Sequence, residues 1–291
     1  MISKITGKMT NNLNKSEIIK MAVDEYKSTN ERFRSAAGIA KKYGINRKTI
    51  INYLKKEGFP INNNKATFSI NNNVFSKIDS EEKAYWLGFL YADGYVSTNS
   101  NVFGMSLSVK DYDHLIKFKS FLEWNGEIKI STTHQFNSKD SHGKNGNLLQ
   151  IGKIAICNKK IKNDLIKLGC VPQKSLILKF PTKEQVPEKF VLHFIRGYFD
   201  GDGTIGKYRH SIKNKRLEES LLIVGTKDML EQIQKYLGNG FIMQKKNCSE
   251  KTFRLGYSTK KAKLAADLMY NNAKIYLNRK YNIYKEQFCR E

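Results

Sequence analysis

Two stretches 109 residues apart, YWLGFLYADG (85–94) and FIRGYFDGDG (194–203), share one layout. Each is an apolar run with small residues four apart, Gly88 and Ala92 in the first and Gly197 and Gly201 in the second, and each closes on Asp-Gly. Residues four apart lie on one face of a helix, and small ones let two backbones approach closely. The two runs are therefore expected to pack on each other through Gly88, Ala92, Gly197 and Gly201. A single copy reads more readily as a buried helix whose Asp-Gly begins a turn; the repetition favours one site with two halves.

Packed in this way, Asp93 and Asp202 emerge side by side at the C-terminal ends of both helices, where the backbone already concentrates partial negative charge. Two carboxylates and two sets of terminal carbonyls in one place call for a cation, and oxygen-only ligands call for a hard one such as Mg²⁺.

At these residues the chain resembles the LAGLIDADG homing endonucleases. WLGFLYADG (86–94) keeps Gly88, Ala92, Asp93 and Gly94 of the nine-letter motif, and IRGYFDGDG (195–203) keeps Gly197, Asp200, Asp202 and Gly203. Tyr91 stands in the first copy where the motif has its earlier acid; in the family the last acid holds the metal and the earlier one is less critical. The resemblance covers roughly residues 78–288. It implies an α+β fold of two αββαββα repeats, 78–182 and 183–291, related by a pseudo-twofold axis, with two sheets forming a saddle over a long duplex. Diverged halves in one chain suit an asymmetric target, and a monomer is expected.

The resemblance also implies a chemistry. Asp93 and Asp202, with the carbonyls of Ala92 and Gly201, are expected to hold Mg²⁺, for which Mn²⁺ can substitute, and one phosphodiester in each DNA strand is expected to be hydrolysed. The family places a basic residue near each centre. Lys174 lies 81 residues after Asp93 and Lys280 lies 78 after Asp202, matched intervals that suggest equivalent positions; surface lysines falling there by coincidence are the plainer reading. Two other activities keep the same fold: an RNA maturase acting on intron RNA, and a DNA-binding regulator that does not cut. Intact Asp93 and Asp202 disfavour the regulator, whereas nothing in the residues separates A-form from B-form binding.

Charge agrees with a nucleic-acid partner. The 291 residues carry 51 Lys and Arg against 27 Asp and Glu, a formal charge of +24 that attracts a polyanion. An anionic membrane is the competing partner, but the longest apolar stretch, Ala84 to Ala92, has nine residues, far below the roughly 20 needed to span a bilayer. The N-terminal stretch lacks the apolar core of a secretory signal. A soluble intracellular protein of the cytoplasm or an organelle matrix is expected, with a phage- or intron-encoded origin. Cys157, Cys170, Cys248 and Cys289 form no Cys-x-x-Cys pair, so reduced thiols are expected rather than zinc.

Ahead of the repeats, SEIIKMAVDEYKS (16–28) reads as a helix with Ser16 as its candidate cap and Ile18, Ile19, Ala22 and Tyr26 near one face. SAAGIAKKYGINRKTIINYLKK (35–56) has the spacing of a helix-turn-helix: Ile39 and Ala40 on one helix, Gly44 at the turn, Ile45 at the corner, and Ile50 with Tyr53 or Leu54 facing inward. Residues 32–56 contain eight basic side chains and no acidic one. Asn46, Arg47, Lys48, Ile51 and Asn52 are the candidate groove contacts, Arg and Asn being suited to guanine and adenine edges. A plain helical hairpin is the simpler alternative. The module spans 10–58, and 59–77, with Asn triplets at 62–64 and 71–73, reads as a linker of low order.

In the first repeat, YVS and VFGMSLSV read as a hairpin, DYDHLIKFKSFLEW as a helix, GEIKIS and LLQIGKIAIC as strands and NKKIKNDLIKLG as a helix. After Asp202 the second repeat reads SLLIVG, DMLEQIQKYLG, GFIMQKK, TFRLGYS and KKAKLAADLMY as strand, helix, strand, strand, helix. Each sheet is expected to cover helices with one face and to present Lys, Arg, Asn, Gln, Ser and Thr on the other.

Several patterns lead elsewhere and are set aside. DGDGT (200–204) opens like an EF-hand, but Ser211 stands where the bidentate Glu belongs. It also resembles the haloacid-dehalogenase nucleophile motif, which needs an apolar strand where FIRGYF suits a helix. His114, His134, His142, His193 and His210 show no ligand spacing. The final QFCRE lacks a His-Asn splice junction, so an intein origin is not expected.

Overall fold

A computed structural model describes residues 14–29, 35–59, 68–134, 148–208, 217–245 and 249–289. It divides into two compact units, Met1–Thr67 and Phe68–Glu291. Residues 10–13, Arg32, Arg34, linker residues 60–67, His142, His210 and Cys248 lie outside the described residues.

The first unit contains α1 (Lys15–Ser28), α2 (Ala36–Lys42) and α3 (Arg47–Lys56). The cap of α1 is Asn14, not Ser16: its side chain accepts from the Glu17 amide at 3.0 Å and the Glu17 carboxylate accepts from the Asn14 amide at 2.8 Å. That reciprocal pair satisfies two end-of-helix donors, which Ser16 inside the first turn cannot do. Gly44, at φ +64°, makes the turn between α2 and α3. Ile19, Ala22, Val23, Tyr26, Ile39, Ala40, Ile50 and Leu54 form the core of the three helices. Leu54 thus faces inward and Tyr53, 42% exposed, does not.

The second unit is α+β, with two four-stranded antiparallel sheets. Its first half runs α4 (Glu81–Ala92), β1 (Gly94–Val96), β2 (Val102–Ser108), α5 (Tyr112–Phe121), β3 (Lys129–His134), β4 (Leu148–Cys157) and α6 (Lys159–Lys167). Its second half runs α7 (Val191–Asp202), β5 (Gly203–Tyr208), β6 (Glu218–Gly225), α8 (Lys227–Leu237), β7 (Phe241–Gln244), β8 (Phe253–Ser258) and α9 (Thr259–Tyr270), followed by α10 (Asn278–Gln287). The sheet orders are β1-β2-β4-β3 and β5-β6-β8-β7, the same path twice. β3 begins three residues later than GEIKIS suggests, and β5 and α10 were not apparent in the sequence.

α4 is buried on every side from Ala84 to Tyr91, as is α7 from Phe194 to Asp200, which marks both as central helices. They meet through reciprocal glycines. A Cβ on Gly88 would lie 2.0 Å from the Phe194 carbonyl oxygen, and one on Gly197 would lie 1.9 Å from the Tyr85 carbonyl oxygen. Only hydrogen fits at either position. Arg196, buried in α7, donates to Glu81 at 2.8 Å and to the carbonyls of Ile275 and Met269, joining the N-terminal end of α4 to the chain after α9.

Residues 68–77 differ from the low-order linker expected of them. Val74, Phe75 and Ile78 are buried, the Asn71 amide donates to the Leu122 carbonyl, and Asn158 donates to the Asn72 side chain. The apolar residues that follow the Asn triplet have a core to enter, and the Asn71 side chain accepts from the Asn73 amide at 3.1 Å to close the turn before them. The second sheet also departs from expectation. Its helix-covered face holds Ile205, Leu221, Ile223 and Leu255, while the residues on its open face include Leu222, Val224, Phe241 and Met243. Among the described residues, no helix is long and apolar enough to cross a membrane.

Candidate active site at the paired helix ends

Helix packing brings the two Asp-Gly turns together. Asp93 caps α4 and Asp202 is the last residue of α7. Between them, a Cβ on Gly201 would fall 2.3 Å from the Ala92 Cβ and 3.3 Å from Asp93 Oδ2. Gly88, Ala92, Gly197 and Gly201 therefore all lie along the contact, with Ala92 against Gly201 at the end that carries the aspartates.

Asp93 is exposed and Asp202 half-buried by accessible surface, yet both are surrounded closely enough by protein to lose hydration. Burial pushes the Asp202 carboxyl up to about 6, with Asp93 adding to the rise and Lys174, Lys280 and Lys245 opposing it. Asp93 is also raised, first by burial, against the pull of Lys280 and Lys174.

Both sequence-selected lysines reach this place, and their ammonium groups sit behind the carboxylates. Lys280 Nζ donates to the carbonyls of Phe199 at 2.7 Å, Asp200 at 2.8 Å and Gly203 at 2.5 Å. Lys174 Nζ donates to the carbonyls of Ala92 at 3.0 Å and Gly94 at 2.7 Å. Each lysine is buried and neutralises the carbonyl end of one central helix. Burial lowers Lys280 to about 8, although Asp200 pulls it the other way. The terminal carbonyls are thus served largely by the chain's own cations, leaving the two carboxylates as the open negative charge.

Asp200, the earlier acid of the second motif, is buried and points away from that charge. Its carboxylate accepts from Tyr85 at 2.7 Å, from Tyr270 at 2.5 Å and from the Leu277 amide at 2.7 Å. Burial raises its pKa, while Lys280 and these donors lower it. Since the Tyr85 hydroxyl proton goes to Asp200, His114 Nε2, 3.0 Å from the same oxygen, carries its own proton and donates it. Burial lowers His114 to about 3, so it stays neutral. Tyr91, which replaces the acid in α4, donates to the Leu168 carbonyl at 2.5 Å and lies over Gly169.

Sequence reasoning missed Tyr85, Tyr270 and Leu277 as the partners of Asp200, and Lys245 as a charge acting on Asp202. Tyr85 begins the first repeated stretch; the others carry no local signal. Asn46, Arg47, Lys48, Ile51 and Asn52 belong to the first unit. Arg47, Lys48 and Asn52 are exposed, Ile51 is half-buried, and Asn46 caps α3 by accepting from the Lys48 amide at 2.9 Å. Among the described residues, no group of three or more His, Cys, Asp or Glu is placed to hold a metal, so a metal here draws on two carboxylates and backbone oxygen.

Residues 189–259, which include α7 and Asp202, match the family described as LAGLIDADG-like domain. No curated protein matches the chain. Among solved structures, the chain is similar to the I-LtrWI LAGLIDADG homing endonuclease bound to target DNA, at 13% identity over 71% of this chain and 89% of that one, with a TM-score of 0.45. It is also similar to the I-SmaMI LAGLIDADG homing endonuclease bound to cleaved DNA, at 16% identity over 70% and 86% of the two chains, with a TM-score of 0.44. A third, I-CvuI in complex with its target in the presence of Ca, aligns at 19% identity over 33% and 62%, with a TM-score of 0.28.

Proposed function

We propose that the chain is a site-specific double-strand DNA endonuclease of the LAGLIDADG type, which hydrolyses one phosphodiester in each strand of a long asymmetric target. The observation that carries this reading is the placement of Asp93 and Asp202 at adjoining ends of two glycine-packed helices, each end backed by a buried lysine.

The donor set suits a hard divalent cation: two carboxylates raised by burial, Asp202 also by the charge of Asp93, with backbone oxygen beside them. We assign Asp93 and Asp202, with the Gly201 carbonyl and the second lone pair of the Ala92 carbonyl, whose first accepts from Lys174, to Mg²⁺, which Mn²⁺ can replace. Bound there, the metal supplies Lewis-acid polarisation of a phosphate oxygen and a more acidic water. The residues supply the rest. Lys174 and Lys280 hold the helix-end carbonyls, including that of Ala92, so that the aspartates stay fixed and extra negative charge in the transition state meets a fixed positive background. Lys280, lowered to about 8, keeps its proton at neutral pH while lying near the balance point. With a charge of +24, phosphate contacts bring the duplex to the site. Asn46, Arg47, Lys48, Ile51 and Asn52 are assigned to a second, helix-turn-helix contact with the same DNA.

The test is cleavage of the uninterrupted counterpart of the DNA flanking the gene, with Mg²⁺. Asp93→Asn and Asp202→Asn should each abolish double-strand breaks while keeping DNA binding, because removing one ligand disables the metal arrangement more than the phosphate contacts. Double-strand cleavage by either variant at the parent rate would refute the shared site. Binding without any cut by the parent would point to the regulator, and binding confined to intron RNA to the maturase.

A further inference from the structure

Each buried lysine has a neighbour in sequence, and the two neighbours differ: Arg279 precedes Lys280, and Gln173 precedes Lys174. Arg279 lies in the first turn of α10, in the second half, but its guanidinium is held by the first half. Nε donates to Asp111 Oδ1 and Nη2 to Asp111 Oδ2, both at 3.1 Å. Asp111 precedes α5 at the position where an acid ordinarily caps its own helix, yet it makes no cap hydrogen bond. Thr226, which precedes α8 at the matching place, does cap its helix, accepting from the Met229 amide at 3.3 Å. Gln173 and Thr226 carry no charge, so the Asp111–Arg279 pair has no counterpart in the other half.

The Asp111 side chain is 12% exposed and that of Arg279 52%, so the carboxylate is a buried anchor and the guanidinium an open cation. An anchor that takes Nε and one side of Nη2 leaves the edge from Nη1 to Nη2 for a second paired contact, and phosphate is an anion whose geometry suits it. Gly94 pairs with Met105, so β2 runs past Asp93 on its way to Asp111. The Arg279 charge acts on Asp93, opposing the rise that burial produces; at Asp202 the added charge is the ammonium of Lys245. Lys174 and Lys280, by contrast, are buried and direct their protons to backbone carbonyls. Joining α10 to α5 does not require an exposed cation, since Lys117 of α5 already donates to the Asn278 side chain at 2.7 Å and to the Tyr276 carbonyl at 3.1 Å.

Resting on the endonuclease reading, we infer that the open edge of Arg279 binds the non-bridging oxygens of the scissile phosphate beside Asp93, in one strand only, with Asp111 as the positioning residue that aims it. In hydrolysis the water oxygen bonds to phosphorus and one bridging P–O bond breaks; the water proton passes to solvent and the leaving oxygen takes one up. Negative charge gathers on the non-bridging oxygens between these events, and a guanidinium fixed against them stabilises it most there. The two strands are then cut by unlike centres.

The experiment labels the two strands of the target differently and follows each cut by the full chain with Mg²⁺, in single turnover at saturating protein. Arg279→Ala should slow one strand by about 100-fold, the cost of removing one preorganised donor, and leave the other at the parent rate, so that nicked duplex accumulates. Free guanidinium ion, compared with K⁺ at equal ionic strength, should restore the slow strand alone. Asp111→Asn should slow the same strand by less. Arg279→Lys keeps the charge and the stem where the alanine variant melts early, and should slow that strand too, because an ammonium cannot make the paired contact. Equal slowing of both strands, or parent rates in both, overturns the inference and leaves the endonuclease reading standing. So does slowing that tracks a lower melting temperature and is not rescued by guanidinium, which would make the pair a structural tie. No cut in either strand by the parent removes both readings.

Discussion

The Leu277 amide donates to the buried Asp200 carboxylate at 2.7 Å, three residues before Lys280, whose ammonium returns to the Asp200 carbonyl at 2.8 Å. Leu277 is the residue that precedes α10 and lacks a side-chain cap of its own. One residue of α7 thus fixes both the start of α10 and the lysine in its first turn. Asp200→Ala should leave Tyr85, Tyr270 and the Leu277 amide without their acceptor, at about 1–3 kcal/mol for each group left unpaired. Thermal melting should fall further for Asp200→Ala than for Asp200→Asn, which keeps one carbonyl oxygen. Cleavage should drop in kcat more than in KM, since Lys280 loses its anchor. An Asp200→Ala variant with parent melting and parent kcat would refute the coupling.

The raised pKa of Asp202 sets a pH dependence with a definite sign. A carboxyl at about 6 in the folded chain and about 3.9 unfolded holds its proton longer when folded, so its contribution to stability falls as pH rises from about 4 to 6. Metal binding runs the other way, because the ligand must be ionised. Mg²⁺ affinity measured by calorimetry should therefore weaken as pH falls through about 6 and be accompanied by proton release. In Asp202→Asn, the melting slope between pH 4 and 6 should lose that component. Equal Mg²⁺ affinity at pH 5 and 7.5 would contradict the assignment.

Gly197 faces backbone on the partner helix, so no side-chain rearrangement can make room there. Gly197→Ala should already force α4 and α7 apart, and Gly197→Leu more so; overpacking costs about 1–3 kcal/mol where neighbours can shift, and the larger end is expected here. Activity should fall with melting temperature because the same contact sets the spacing of Asp93 and Asp202. Unchanged melting and activity in Gly197→Leu would show that the helices do not meet at this residue.

The unit that begins at Phe68 contains both aspartates and both lysines, and Phe68 itself packs edge-on against Trp124 at 5.9 Å. A fragment starting at residue 68 should cut the target of the whole chain but, on the proposed helix-turn-helix contact, bind it more weakly, because a tethered second contact raises affinity. Its log–log salt slope should be shallower by about 0.9 for each phosphate that the fragment no longer neutralises. Equal affinity and slope in the two proteins would remove the DNA-binding role of Asn46, Arg47, Lys48, Ile51 and Asn52. A folded but inactive fragment would show that the first unit is needed to assemble the site.

How much was legible in the chain alone depends on how local the signal is. The repeated stretches placed Asp93 and Asp202, and Gly88 and Gly197 announced the close helix contact because small residues four apart have few other uses in a buried run. Matched intervals located Lys174 and Lys280. β5 went unread because two of its six residues are glycine and Ile205 is its only aliphatic side chain; a short strand with so weak an alternation is held by the neighbour that pairs with it. Residues 68–77 were read as part of the 59–77 linker because Asn triplets mark turns whether or not the neighbouring Phe75 has a core to enter.

The order of elements, the duplication, the excess of positive charge and the two aspartates were set by the sequence itself, since each rests on neighbours within a helical turn or on composition. Tertiary structure alone decided that both lysines turn back onto helix-end carbonyls. It also decided that Asp200 is spent on tyrosines drawn from 115 residues before it and 70 after it, and that the second sheet opens an apolar face beside the site. Those outcomes follow from burial: a charged or polar group taken out of water must find its partners wherever the fold brings them, and the distance along the chain carries no information about where that is.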